Sequence, residues 1–589
     1  MRPTIEELEE ALVIEFPLSD TLYMEDSRRL TGPGLMWDKP GAIIEVVAKD
    51  TCLISVEAAW NRRARQVLDR VGWNEQFLCC RCHEDGLNLA ISAPMDQLYS
   101  AIFVAQAAWH YAVCDILEVE SIPLDAMVAD LNTVMASEAR SELITLQVAA
   151  VQHGVDFVAD DDDVSLGHGC GSKTWPVCDL PTPESIDWSA LHDVPVAMVT
   201  GTNGKSTCVR LASAVAEAAG KTAGVTSTDF VRVGDVILDR GDYSGPGGAR
   251  MLLRDKRLEV AFLEVARGGI LRRGLALRRA QAALITNVAA DHLGQYGINT
   301  VPALIEVKFS VFRTLAPGGV LVLNADDDGL VAHAKALAGE IAEQQKTIVW
   351  FSLSSGSACI EYALSQREPC GWLRQDSLWY FDGNDVHEVM PLADIPITMN
   401  GAARYNVQNA LGVMCLCIAF NLSLDAVRAG FSRFHNSPAD NPGRCNEFEI
   451  GGARVFVDFA HNPHSISAVA STMANIAARR RFLMLGHAGD RSDDEICGLT
   501  AGAFELRPDH IVITELPDYL RGRESGEVSS VIRDECLRRG LEKQQMSFSD
   551  DPLSGTQRVL SLLQEGDLAL LLVHSQRDEI IQLLSANAA

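Results

Sequence analysis

From residue 194 onward the chain alternates short, wholly apolar runs with helical stretches, and few folds accept that rhythm. VPVAMVT (194–200) precedes a helical pattern over 205–219, and VAFLEVA (260–266), ALITNV (283–288) and GVLVLN (319–324) follow. Another helical stretch lies near 301–315. A strand apolar on both faces must be covered on both faces, so the pattern predicts a parallel sheet flanked by helices. A second series begins after residue 443: VFVDFA (455–460), FLMLG (482–486), HIVITEL (510–516) and LALLLVH (568–574). It reads as a further α/β domain.

The first 160 residues differ, mixing short alternating runs with a helical stretch near 98–117. A chain of 589 residues suits about three or four domains of roughly 150 residues each. We place them at 1–175, 186–441 and 442–589. With 47% apolar residues, each domain can bury a core without a metal or disulfide staple.

Charge narrows the partners. The formal net charge is −29, which argues against binding nucleic acid or an anionic membrane surface. The opening MRPTIEELEEAL has no basic segment followed by an apolar run, so no signal peptide is expected. No run reaches the roughly 18 apolar residues of a membrane span. Fifteen Cys are scattered, several inside apolar runs (Cys208, Cys415, Cys417), as in the reducing cytoplasm. Cys79, Cys80, Cys82 and His83 contain a CxxC, but a structural zinc site normally needs a second pair. Buried thiols are therefore expected there. The four Asp at 160–163 read as a solvated loop.

The strongest chemical signal is TGTNGKST, 200–207, which follows an apolar strand and opens a helix. Gly201 and Gly204 allow backbone N–H groups to approach phosphate oxygens, and the helix N-terminus adds partial positive charge. Thr202, Asn203 and Thr207 complete the loop. Lys205 would meet the β/γ-phosphates of ATP, and Ser206 would offer its hydroxyl to Mg²⁺. The full Walker pattern places Gly at 199, where this chain has Val199, so the loop is a shorter GTxGKS form.

That loop resembles the one used by the Mur ligase family, and further stretches agree in order. Glu264 in LEVARGG resembles a magnesium-binding glutamate. TNVAADHLG (286–294) resembles the family's TNI…DHLD, which implies Asn287 at the adenine and His292 at a second magnesium. Lys308 in EVKFSVF resembles the lysine that many Mur ligases carbamylate into a metal ligand. NVQNA (406–410), with Asn409, resembles their HNxxN helix, although Tyr405 replaces the His. PGR (442–444) and DFAHNP (458–463) resemble C-terminal signatures, implying Arg444 at the phosphates, Asp458 at the ribose and His461 beside the nucleotide.

Other stretches are similar to the Mur-ligase half of cyanophycin synthetases. These are GDYSGPGGAR (241–250), LEVARGGILRRGL (263–275), GHAGDRSDDEI (486–496) and DYLRGRESGEV (518–528). RRLTGPGLMWDKPGAIIEV (28–46) resembles that family's N-terminal domain. VDFVADDDDVSLGHGCGSK (155–173) resembles the stretch that introduces its ATP-grasp domain. Here the chain passes almost directly from 173 to the phosphate loop, leaving a remnant of that domain and one ATP site.

The resemblance implies a multidomain α/β fold. It would comprise an α+β N-terminal domain, a central P-loop parallel-sheet domain and a Rossmann-like C-terminal domain. It also implies a cytoplasmic, homo-oligomeric ATP-dependent ligase with two Mg²⁺ and a carbamylated Lys308. An acyl phosphate would form on a carboxylate substrate and be captured by an amine. β-Aspartyl-arginine units or related peptides, added to a cyanophycin primer, are the implied substrates. A Mur-type ligase for another substrate and a noncatalytic ATP-binding subunit are the alternatives. Arg521, Arg523 and Glu527 are candidates for the amine pocket, and equally for a structured surface turn.

Overall fold

A computed structural model describes residues 4–588. The N-terminal domain is a four-stranded antiparallel sheet ordered Leu22–Leu30, Gly41–Ala48, Gly86–Ser92 and Leu78–His83. Side chains alternate across a strand, and Gly41–Ala48 uses both faces. Ala42, Ile44 and Val46 pack beneath the helices Leu53–Arg70 and Leu98–Leu117, while Ile43 faces Leu30, Met36 and Trp37 on the other side. By length and hydropathy Leu98–Leu117 could cross a bilayer, a reading the sequence had excluded. Burial explains its apolarity instead: Ala101, Val104, Ala105, Trp109 and Ala112 are wholly buried in the domain core.

A three-stranded antiparallel sheet follows, Phe157–Ala159, Asp163–Leu166 and Lys173–Pro176. Its last strand crosses the boundary placed at 175. The acidic run forms the hairpin turn and is ion-paired rather than merely solvated. Asp160 takes Arg254 at 2.6 Å and Asp161 takes Arg29 at 2.8 Å.

The central domain is built on an 11-stranded sheet. Seven consecutive parallel strands form its middle: Ala223–Thr226, Val260–Glu264, Val196–Thr200, Ala280–Ile285, Leu315–Asn324, Thr347–Ser352 and Cys370–Arg374. Antiparallel strands extend both edges. The core divides into two clusters, one on each face, as expected of strands apolar on both sides. The C-terminal domain has six strands, parallel except for Asn446–Ile450 at one edge.

The N-terminal domain is joined to the central one through backbone. Thr31 N–H donates to Arg273 O at 2.8 Å, and Leu275 N–H donates to Pro33 O at 2.6 Å. Gly32 permits the approach: a Cβ there would lie 2.1 Å from Leu275 O.

Candidate active site

Strand Val196–Thr200 occupies the middle of the parallel sheet and releases the phosphate loop at its carboxyl end, where α/β sheets bind ligands. Gly204 has φ 88° and initiates helix Lys205–Ala218; a Cβ there would come within 2.3 Å of Asn409 Oδ1. Thr202 N–H donates to Asn287 O at 2.8 Å, and Asn203 N–H donates to Asn287 Oδ1 at 3.1 Å. The Asn287 amide also donates to Asn203 O at 3.2 Å, so it braces the loop. The residue also lines the cavity beside the loop. Lys205 Nζ rests on Thr202 O at 3.0 Å.

Two cavities meet at this loop. The smaller holds about 140 Å³ and is walled by Asn203, Gly204, Thr207 and Asn409 on one side and by Arg444, Asp458 and His464 on the other. Asn462 donates to Asn203 at 2.9 Å across it. Both Asp458 oxygens accept backbone N–H groups, from Cys445 at 2.8 Å and from Ala460 at 2.7 Å. Burial raises this carboxyl above its ordinary range. The larger cavity, about 860 Å³, is lined by Gly201, Lys205, Lys308, His292 and a set of arginines. Lys205, Thr202, Thr228, Arg444 and His461 border both.

Cation ligands are available in the walls of both cavities. Glu264 ends the strand beside the loop and is 2% exposed. Its Oε2 accepts Thr228 N–H at 3.3 Å, while Oε1 is buried without a partner. A buried carboxylate oxygen is costly unless paired. Ser206 Oγ lies 3.3 Å from Thr228 Oγ1, within the same cavity wall. A second group is formed by Asp291, His292 and His461, whose ligand atoms lie within 4.8 Å of one another. Asp291 Oδ1 is also buried and unpartnered. Burial pushes the His461 imidazole down to about 4 and lowers that of His292, so both stay neutral near pH 7. These donor sets fit divalent cations.

Lys308 lies on helix Val301–Arg313, whose start is set by Thr300 capping Ala303 N–H and by Pro302 in the first turn. Its amine is 3% exposed and donates to Gly201 O at 2.8 Å. Burial, with Lys205 nearby, holds it well below the ordinary lysine range. Burial thus favours its uncharged form. The sequence paired Lys308 with His292. The structure places both on the large cavity, and groups His292 with Asp291 and His461. Asp291 was missed, although it adjoins His292 within the quoted motif.

Of the amine candidates, Arg521 lines the large cavity and is ion-paired with Asp490. Arg523 braces the 489–493 loop instead, donating to Gly489 O at 3.0 Å and Asp493 at 2.7 Å. Glu527 caps its local turn by accepting Glu524 N–H. Arg267, Arg272, Arg273 and Arg491, which the motifs did not single out, also line the cavity. In strand Leu78–His83, Cys79 points away from Cys80 and Cys82. Cys79 and Cys80 are half-buried and Cys82 is exposed, which corrects the expectation of buried thiols.

Two family descriptions match the chain: the Mur ligase middle domain over residues 199–417, and the Mur ligase, glutamate ligase domain over residues 443–572. A cyanophycin synthetase from Nostoc sp. is 36% identical over 339 residues, 58% of this chain and 37% of that protein. One from Geminocystis herdmanii is 34% identical over 399 residues, 68% of this chain and 44% of that protein. The chain thus spans less than half the length of these relatives. E. coli FolC in complex with DHPP and ADP superposes with a TM-score of 0.50 at 19% identity, covering 67% of this chain and 89% of FolC. At that identity the likeness speaks for fold alone.

Proposed function

The chain belongs to the Mur ligase family, and on that premise we propose that it joins a carboxylate to an amine at the expense of ATP. ADP and phosphate would be released. The observation that carries this reading is the orphaned Glu264 Oε1, buried beside a phosphate loop in the wall of the smaller cavity.

The problem such a site must solve is repulsion between a carboxylate and the γ-phosphate. Lys205 and Arg444, which border both cavities, offset phosphate charge, and the loop's backbone N–H groups fix its position. Mg²⁺, held by Ser206 and Glu264 and by Asp291, His292 and His461, would supply further charge neutralisation. Carboxylate oxygen attacks the γ-phosphorus, and the bond to the β-phosphate oxygen breaks to release ADP. The amine then attacks the acyl carbon, loses a proton and expels phosphate. In its uncharged form, which burial favours, the Lys308 amine can take up CO₂ with loss of a proton, giving a carbamate. Walls from both domains exclude water from the acyl phosphate.

The large cavity suits an extended substrate that carries several carboxylates together with cationic groups, because Arg267, Arg272, Arg273, Arg491 and Arg521 line it alongside Asp242 in a chain of net charge −29. Together with the cyanophycin synthetase relatives, this favours aspartyl/arginyl peptides such as β-aspartyl-arginine. The test is ADP and phosphate release with that dipeptide, with and without a short cyanophycin primer, and mass spectrometry of the product. Free aspartate plus arginine is the paired control. Lys205→Ala is expected to abolish turnover, and wild-type turnover in that variant would sink the site. No turnover with the dipeptide would move the substrate elsewhere.

A further inference from the structure

The N-terminal domain lies away from the phosphate loop, yet it grips the loop that carries Asp291 and His292. Arg81, on the N-terminal strand Leu78–His83, donates to Gly297 O at 3.3 Å and to Glu306 at 3.1 Å. Asn299 donates to Asp85 at 2.8 Å. The Arg28 guanidinium sits over the Tyr296 ring, 4.7 Å from its centre. Gly297 is packed so tightly that a Cβ there would come within 2.5 Å of the His83 ring.

The loop needs such support. His292 and Tyr296 both hold left-handed backbone, with φ of 49° and 58°. Non-glycine residues keep that conformation only when their surroundings impose it. From the central domain, Arg267 donates to His292 O and to Gln295, each at 2.6 Å, and Arg272 donates to Tyr296 OH at 3.1 Å. The loop is therefore held between two domains, with Asp291 and His292 at one end and the N-terminal contacts at the other.

We propose that the N-terminal domain is a positioning element of the reactive centre, bracing loop 291–299 through Arg81, Asp85 and Arg28 so that Asp291 and His292 face His461. This rests on the reading of those three residues as cation ligands. Removing the N-terminal contacts lets the strained backbone relax, and the ligand atoms then separate without any change at the phosphate loop.

The test uses the full chain and needs no turnover. Amide hydrogen exchange is followed in the metal-free protein, and Mn²⁺ binding is titrated by electron paramagnetic resonance. In Arg81→Ala and Asn299→Ala, exchange across 291–299 should quicken while helix Lys205–Ala218 stays protected as in wild type. Mn²⁺ affinity at this site should fall about tenfold, the scale on which groups that orient metal ligands act. Arg81→Lys should recover part of it. Wild-type loop exchange or wild-type Mn²⁺ affinity in both Ala variants overturns the proposal. Should His292→Ala itself bind Mn²⁺ as wild type does, the ligand assignment fails instead.

Discussion

Individual residues of the phosphate loop show how a local pattern becomes a site. Gly204 combines a left-handed φ of 88° with a neighbour, Asn409 Oδ1, that leaves no room for a Cβ. Alanine there costs about 1–2 kcal/mol in backbone strain alone. We expect Gly204→Ala to weaken binding of a nonhydrolysable ATP analogue by about tenfold or more, read by calorimetry, because 1.4 kcal/mol is a factor of ten. The loop glycines and Lys205 were legible in sequence, since strand, turn and helix follow one another along the chain. Asn287 and Asp458 were legible as motif members but not in their contacts. Both spend hydrogen-bonding capacity on backbone that the tertiary fold brings to them.

At the scale of elements, the helix Leu98–Leu117 was visible in the sequence, yet its pattern left its environment open. It is apolar nearly all round because the antiparallel sheet and the helices Leu53–Arg70 and Leu124–Glu138 enclose it. Trp109→Ala is expected to cost about 3–5 kcal/mol, the range for removing a buried aromatic side chain. A denaturant titration of the N-terminal transition measures it. Four of the seven central parallel strands were legible, because continuous apolar runs mark them; Ala223–Thr226, Thr347–Ser352 and Cys370–Arg374 were not read. The hairpin strands Ser377–Phe381 and Val386–Pro391 were not either; in the second, His387 and Glu388 break the apolar run. Strand Asn446–Ile450 escaped notice for the same reason: its pattern is half polar at a sheet edge.

The whole molecule depends on charges that join its domains. Asp229, in the central domain, pairs with Arg210 of the phosphate-loop helix and with Arg577, which opens the last helix of the C-terminal domain. Burial alone would raise this carboxyl, but Arg210, Arg444 and Arg577 outweigh it and hold it at about 2, below its ordinary 3.8. The unfolded chain binds the proton more readily, so the stabilisation is complete above about pH 4 and is lost as pH falls through about 2. A shift of that size is worth about 2 kcal/mol. Between pH 4 and 2, wild-type stability should therefore fall by about 2 kcal/mol more than that of Asp229→Asn, read from denaturant midpoints. At neutral pH the variant leaves Arg210, 1% exposed, without its carboxylate partner and should be the less stable protein.

Sequence alone determined the two α/β domains and the phosphate loop, because apolar runs, glycines and helix starts act through neighbours a few residues away. It also supplied the order of the ligase motifs, which needs no contact between them. Only the tertiary structure decided which distant groups meet. Glu264 is left with an orphan oxygen because its strand ends beside the loop, and the Lys308 amine is pushed well below the ordinary lysine range because its helix is buried against that same loop. Asp291, His292 and His461 converge from separate domains. The N-terminal sheet reaches loop 291–299 while backbone at Gly32 packs directly on Leu275. Convergence of this kind depends on burial and on separations along the chain of up to hundreds of residues, which no local pattern encodes.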